Sequence, residues 1–202
     1  RLTHGTDPLS PQNLLVFAAG PLSGIGLPNS GKLVVASKSP LTGGYGDGNV
    51  GTLAAVHMRK AGFDAIIIEG KAQTPVFLHI KDNATEFVDA QEFWGLNSFE
   101  TEQQLRKKYS HIGIISIGQA GENLVKFATV VSQEGRAGGR PGMGAVMGSK
   151  NLKAIVIEGT QPIPLANPRE MKQLATDGYK EVLSKSLYGF WKRQGTMSTV
   201  DW

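Results

Sequence analysis

Apolar residues fall in short, dense runs along most of this chain, broken by glycine, proline and asparagine. Seven runs rich in Val, Ile, Leu or Phe read as strands: 14–19, 33–37, 65–69, 76–80, 112–117, 125–131 and 154–158. Turn-forming residues bound most of them, as half-buried strands require. Helical patterns are fewer. Residues 52–61 form a compact stretch that stops at Gly62, a residue suited to follow a helix C-terminus. Residues 98–109 place Ser98 as cap, Glu100 and Glu102 early, and Arg106, Lys107 and Lys108 late, an order that complements a helix dipole. The clearest helix spans 167–185, with Asn167 capping, Pro168 in the first turn and Glu170 at the capping-box position. Met171, Leu174, Ala175, Val182 and Leu183 share one stripe of it.

The pattern also repeats. AIIIEG at 65–70 recurs as AIVIEG at 154–159, an offset of 89, and each copy follows a glycine-rich loop and a short helical stretch. The same offset sets residues 48–51 opposite 137–140. Hydrophobic strands resemble one another by chance, but here the likeness extends over loop and helix. The elements therefore predict an α+β fold with few helices and an internal duplication of a loop–helix–strand unit. Two related loops can then converge on one ligand from opposite sides.

Composition narrows the chemistry. The 202 residues carry a net charge of +4, 40% hydrophobic residues and no cysteine. The apolar fraction is too high for a disordered chain, and no run approaches the ~18 apolar residues of a membrane span. The modest, scattered charge gives no nucleic-acid footprint. Without cysteine the chain supplies no disulfide, no iron–sulfur ligand and no cysteine–zinc site. The first residues carry neither an apolar leader nor a Met, so the expectation is that upstream residues are missing. Glycine is the anomaly: 26 of 202 residues, near twice the usual ~7%.

Those glycines cluster. The first cluster, TGGYGDGNVG at 42–51, contains Gly46, Gly48 and Gly51 in a literal G-x-G-x-x-G, with Glu69 at a strand end 18 residues on. That is the dinucleotide fingerprint in spacing, but the motif should follow its strand immediately, and SPLTGG intervenes. Glycines let backbone approach a ligand closely, and amides at a helix start point at anions. Lys32 and Lys38 lie nearby to assist. The second cluster, QEGRAGGRPGMGAVMG at 133–148, sets Arg136 and Arg140 among six glycines. Guanidinium groups grip phosphate or pterin carbonyls bidentately. Elsewhere little chemistry gathers. His4, His57, His79 and His111 lack metal-ligand spacing, no G-x-S-x-G elbow occurs, and Glu69 and Glu158 read as solvated strand ends.

Residues 39–51 (SPLTGGYGDGNVG) and 135–154 (GRAGGRPGMGAVMGSKNLKA) resemble the N-terminal domain of the tungsten-containing aldehyde ferredoxin oxidoreductases. IGQAGENLVKF at 117–127 and FWKRQGTM at 190–197 resemble the formaldehyde-oxidising branch. The resemblance covers essentially the whole chain. It implies two β-sheets with few helices, forming a base for a tungsten bis-pterin cofactor whose phosphates are bridged by Mg²⁺. It places backbone carbonyls of Asn49 and Ala137 on that ion, and pterin contacts on Gly51, Arg136, Gly139 and Arg140. Lys32 stands where the family's aldehyde enzyme has Arg, which keeps a charge for phosphate but loses the bidentate fork.

The implied reaction oxidises an aldehyde (formaldehyde or another short one) with water to a carboxylic acid. Electrons pass through a 4Fe–4S cluster to ferredoxin. The cluster ligands and acid–base residues belong to later domains of the family, so this chain holds no catalytic residue and the isolated chain is expected to be inactive. Residues 1–165 are then the cofactor-binding domain, and 166–202 a helix and aromatic tail leading into a helical domain. The resemblance further implies a cytoplasmic homo-oligomer without membrane or nucleic-acid partners. The alternatives are a nucleotide-binding module built on residues 46–51, and a pterin-free assembly domain in which the loops only pack.

Overall fold

The computed structural model describes residues 2, 3 and 5–200. Arg1, His4, Asp201 and Trp202, which entered the readings of the termini and the histidines, lie outside the described residues. The β-branched runs pair into two sheets, as the α+β expectation required. The strands β1 (Leu15–Ala19), β2 (Lys32–Lys38), β3 (Tyr45–Gly51) and β4 (Ala65–Ile68) form a wholly antiparallel sheet in the order β3-β2-β1-β4. The second sheet contains β5 (Val76–Lys81), β6 (Ala84–Asp89), β7 (Gly113–Ser116), β8 (Val130–Ser132), β9 (Arg136–Gly138) and β10 (Leu152–Glu158), in the order β6-β5-β10-β7-β8-β9. Only its β5–β10 pair is parallel.

The helices are α1 (Leu53–Lys60), α2 (Ser98–Lys108), α3 (Gln119–Glu122), α4 (Met143–Ser149), α5 (Pro168–Ser184) and α6 (Tyr188–Gln194). The main core joins Leu15, Phe17, Leu33, Val35 and Val50 of the first sheet to Ile80, Ile115, Ile155 and Ile157 of the second. Between them lie Ala54, Ala55 and Met58 of α1 and Met143, Val146 and Met147 of α4. Small and flexible residues dominate both helices, so they fit between two sheets; every residue of α4 is buried. The other face of the second sheet packs Phe77, Ile114 and Val156 against Phe93 and Leu105, the last on α2. With both faces covered, β10 is buried from Leu152 to Ile157, which explains the unbroken apolar run at 154–157.

The duplicated unit is present as strand–helix–strand: β3-α1-β4 and β9-α4-β10. Its two copies part company at the last strand. β4 is an edge of its sheet, while β10 is central.

Several expectations are corrected. The stretch 125–131 yields only β8, because 125–129 turn back on α3 and α4: Val125 N–H donates to the Ala120 carbonyl and Gly144 N–H to the Ala128 carbonyl. β3 and β9 lie inside the two glycine-rich runs that read as loops, and β6 was missed. The α2 cap is Asn97, which forms a full capping box with Glu100, rather than Ser98. On α5 Asn167 accepts the Glu170 N–H, but Glu170 reaches the Asn167 side chain and not its backbone. No residue of α5 is buried.

Candidate functional site

The two glycine-rich runs meet where β3 passes β9. A Cβ on Gly48 would stand 2.2 Å from the Gly139 nitrogen and 2.8 Å from its Cα, so only glycine lets these backbones touch. A Cβ on Gly138 would stand 3.3 Å from the Asn49 carbonyl oxygen, which places the backbones of Ala137–Gly138 and Asn49 side by side. Gly139 has φ +75°, turning the chain away from β9 toward α4. Ser39 ties the first run to the second, its Oγ donating to the Pro141 carbonyl at 2.6 Å. Asp47, Gly48, Asn49, Thr129, Ala137 and Arg140 line a cavity of about 520 Å³ here.

Strand alternation extends this cavity into a floor. The face of the first sheet turned away from the core carries Val16 and Ala18 of β1, Val34 and Ala36 of β2, and Ile67 of β4, none of them buried. The register sets Val34 beside Asn49, Ala36 beside Asp47 and Lys32 beside Gly51. Small apolar side chains thus lie flat, with Asp47, Asn49 and Lys32 along the β3 edge.

Cations gather at that edge. The Gly51 Cβ position lies 3.4 Å from Arg136 Nη1 and 3.9 Å from Lys32 Nζ. Among the described residues, Lys32, Arg136 and Arg140 have no ion-pair partner, and all three are exposed. Lys32 and Arg136 meet over Gly51 with no carboxylate ion-paired to either among the described residues; like charges so placed repel, and an anion between them reverses the sign. Every residue singled out from the sequence for this site (Lys32, Asn49, Gly51, Arg136, Ala137, Gly139 and Arg140) therefore falls in one region. Lys38 does not join it, since its Nζ is committed to the Thr6 carbonyl at 2.6 Å. A flat apolar floor, one exposed amine, two exposed guanidinia and the Asn49 carbonyl beside the Gly138 backbone form a donor set that fits a ring system bearing phosphates and a hard cation.

The nucleotide alternative meets a contrary geometry. Gly46, Gly48 and Gly51 lie within the antiparallel strand β3, not in a turn between strand and helix. The first amides of α1 are already taken: Ala54 N–H donates to Thr52 Oγ1 and Leu53 N–H to Gln133 Oε1, both at 2.9 Å. Two of the amides that a pyrophosphate would use at a helix start are thus occupied. Thr52 also shares a 2.6 Å hydroxyl hydrogen bond with Ser132.

Two features escaped the sequence. Glu158 is not a solvated strand end, because its Oε1 meets His79 Nε2 at 2.7 Å while His79 Nδ1 meets Glu86 at 2.9 Å. Glu102, nearly fully buried on α2, reaches across to the turn before Arg136. Both contacts join residues far apart in sequence, and no local pattern marks them. Among the described residues no group of three or more His, Cys, Asp or Glu side chains could hold a metal, and no helix is long and apolar enough to cross a membrane.

These features define a two-sheet α+β domain that presents two related glycine-rich runs and a cationic edge. The sequence profile of the aldehyde ferredoxin oxidoreductase N-terminal domain matches residues 1–159, and the chain belongs to that family. It is 49% identical over 166 residues to the tungsten-containing aldehyde ferredoxin oxidoreductase of Pyrococcus furiosus, covering 81% of this chain and 27% of that protein. It is 37% identical over 200 residues to the WOR-like subunit of an aliphatic sulfonate oxidoreductase from the same organism, covering 92% of this chain and 32% of that one. Among solved structures, the active-site complex BamBC of benzoyl coenzyme A reductase superposes with a TM-score of 0.83 at 34% identity, covering 88% of this chain and 27% of that chain. The chain thus spans about a third or less of the length of these relatives.

Proposed function

We propose that this domain is the floor and phosphate grip of a tungsten bis-pterin site in an enzyme that oxidises aldehydes to carboxylic acids and passes the electrons to ferredoxin. The observation that carries the reading is the meeting of unpaired Lys32 and Arg136 over Gly51, beside the Gly48–Gly139 approach. Arg136, Arg140 and Lys32 would neutralise the pterin phosphates, Arg136 and Arg140 with planar forks and Lys32 as a point charge. Backbone carbonyls of Asn49 and Ala137 would hold Mg²⁺, an oxygen-seeking ion. Val16, Ala18, Val34 and Ala36 would carry the flat rings. When bound, the cofactor supplies the two-electron chemistry, and the residues of this chain bind and orient it.

Residues 1–165 would form this cofactor-binding unit, and 166–202 would connect it to a helical domain. With no cysteine among the 202 residues, the 4Fe–4S cluster would be ligated outside them, and the isolated chain would not turn over. The substrate is not written here either. Relatives whose names specify an aldehyde, a sulfonate and a coenzyme A thioester share this domain. A short aldehyde is the reading that follows from the aldehyde-named relatives.

The test is elemental analysis of the full-length protein purified without oxygen, beside an Arg136→Ala/Arg140→Ala variant. Stoichiometric tungsten with accompanying phosphorus in the wild type, and its loss in the variant, supports the reading. Wild-type protein free of tungsten and molybdenum, from cells given tungstate, would sink it. Full metal retained by the variant would instead favour the assembly role.

A further inference from the structure

The hairpin that presents Arg136 turns through backbone its residues seldom adopt. β8 and β9 pair Ser132 with Arg136, leaving Gln133, Glu134 and Gly135 as the turn. Their φ angles are +44°, +53° and +126°. Consecutive non-glycine residues at positive φ persist only where the surroundings over-determine them. Side chains on two flanks do so. Gln133 Oε1 accepts the Leu53 N–H at 2.9 Å, docking the turn on the start of α1. Glu102, 1% exposed, accepts the Glu134 N–H on Oε2 at 2.9 Å. The Phe99 ring lies under the turn, 3.6 Å from the Cβ position of Gly135.

The two oxygens of Glu102 have separate tasks. Arg106 takes Oε1 alone, through Nε at 3.0 Å and Nη2 at 2.6 Å. Oε2 is thereby aimed at the turn. Arg136 comes directly after that turn, and its Nη1 stands over Gly51 without an ion-pair partner among the described residues. A guanidinium binds an anion bidentately only when its plane is aimed, so the backbone that launches it matters.

We propose that Glu102 is a positioning residue: through the Glu134 N–H it sets the 133–135 turn, and with it the direction from which Arg136 reaches the anionic part of the cofactor. This rests on the reading of the site given above. A purely structural role for Glu102, steadying α2 through its pair with Arg106, is the competing account.

The test uses the full-length protein from tungstate-fed cells in four forms: wild type, Glu102→Leu, Glu102→Gln and Phe93→Leu. The last weakens the core beneath α2, a cluster to which no residue of the turn belongs. Three quantities are read: tungsten and phosphorus per chain after gel filtration, melting temperature, and amide hydrogen exchange at Arg136 and Ala137. Glu102→Leu is expected to lose about tenfold in retained tungsten, at the lower end of what removing a supporting hydrogen bond costs a metal site. Exchange at Arg136 should quicken with it. Glu102→Gln, which keeps an acceptor for the Glu134 N–H, should restore most of both. Phe93→Leu should melt earlier yet keep its tungsten. Wild-type tungsten in Glu102→Leu overturns the role of Glu102 and leaves the site intact. Tungsten loss in Phe93→Leu in proportion to its melting temperature also overturns it, since stability alone would explain the effect. Wild-type protein without tungsten overturns the reading of the site, and the proposal falls with it.

Discussion

At the scale of single residues, two glycines of one run have opposite tolerances. A Cβ on Gly48 would strike the Gly139 backbone at 2.2 Å, whereas a Cβ on Gly44 meets nothing closer than Thr42 Oγ1 at 3.9 Å. Backbone cannot yield as a side-chain tip can, so Gly48→Ala is expected to cost about 1–3 kcal/mol, the range for overpacking. Gly44→Ala should stay within about 0.5 kcal/mol of wild type. Urea denaturation of both variants decides it, and equal midpoints would refute the close approach. A second residue-scale case is the buried Lys153–Glu122 pair, with side chains 0% and 5% exposed. Lys153 Nζ also donates to the Leu96 carbonyl, and Glu122 accepts the Gly95 N–H. Lys153→Met leaves a buried carboxylate without its cation and should destabilise by about 3–5 kcal/mol, most of which Lys153→Met/Glu122→Gln should recover. A single variant as stable as wild type would show that Glu122 finds another partner.

At the scale of elements, α1 carries a pH dependence. His57, in its last turn, has its pKa lowered first by burial and then by the positive charge of Lys60. Its Nδ1 faces the Gly159 N–H at 3.4 Å, a bond that needs an unprotonated nitrogen. The unfolded chain therefore takes up this proton at a higher pH than the folded one. The stability that neutral His57 contributes is present above about pH 6.5 and is lost as pH falls through the lowered folded value. Melting temperature measured from pH 7.5 down to 5 should fall more steeply in wild type than in His57→Gln; parallel curves would remove His57 from the account. The elements also show what the sequence could carry. β1, β2, β4, β5, β7 and β10 were legible from their Val, Ile and Leu runs, α2 from its charge order although its cap is Asn97, and α5 from its Asn167 cap. β3 was not, because Gly46 and Gly48 lower strand propensity for a reason outside the strand, the passage of Pro141 and Gly139. β6, an edge strand mostly exposed, carries no clear alternation. Arg136 and Arg140 stood out because they sit in a glycine-rich run, whereas Asn49 was singled out by the family resemblance. Glu102 and Gln133 did not, because they act on residues 32 and 80 positions away.

At the scale of the whole molecule, stability and site are built from the same contacts, and residues 166–202 touch that core only lightly, as where the Cβ position of Gly178 lies 3.7 Å from Pro28. The main core closes over the strands of both sheets together with α1 and α4, all before residue 159. Ile163 still packs on the 24–56 region, its Cδ1 2.6 Å from the Cβ position of Gly24. Beyond it, α5 buries no residue, and Leu174, Tyr179, Val182 and Leu183 of that helix are each at least 41% exposed. A chain ending at residue 165 should therefore fold with the melting temperature of the 202-residue chain. For a domain of this size about 1 kcal/mol moves the midpoint by 2–4 °C, so agreement within that interval is the expected result of paired thermal scans. A larger fall would mean that α5 contributes packing not visible in its exposure. Agreement would give a compact carrier of Lys32, Asn49, Arg136 and Arg140 on which the cationic edge can be titrated directly with inorganic pyrophosphate. On that carrier Arg136→Ala should weaken binding and Gly44→Ala should not, because only the first removes a charge standing over Gly51.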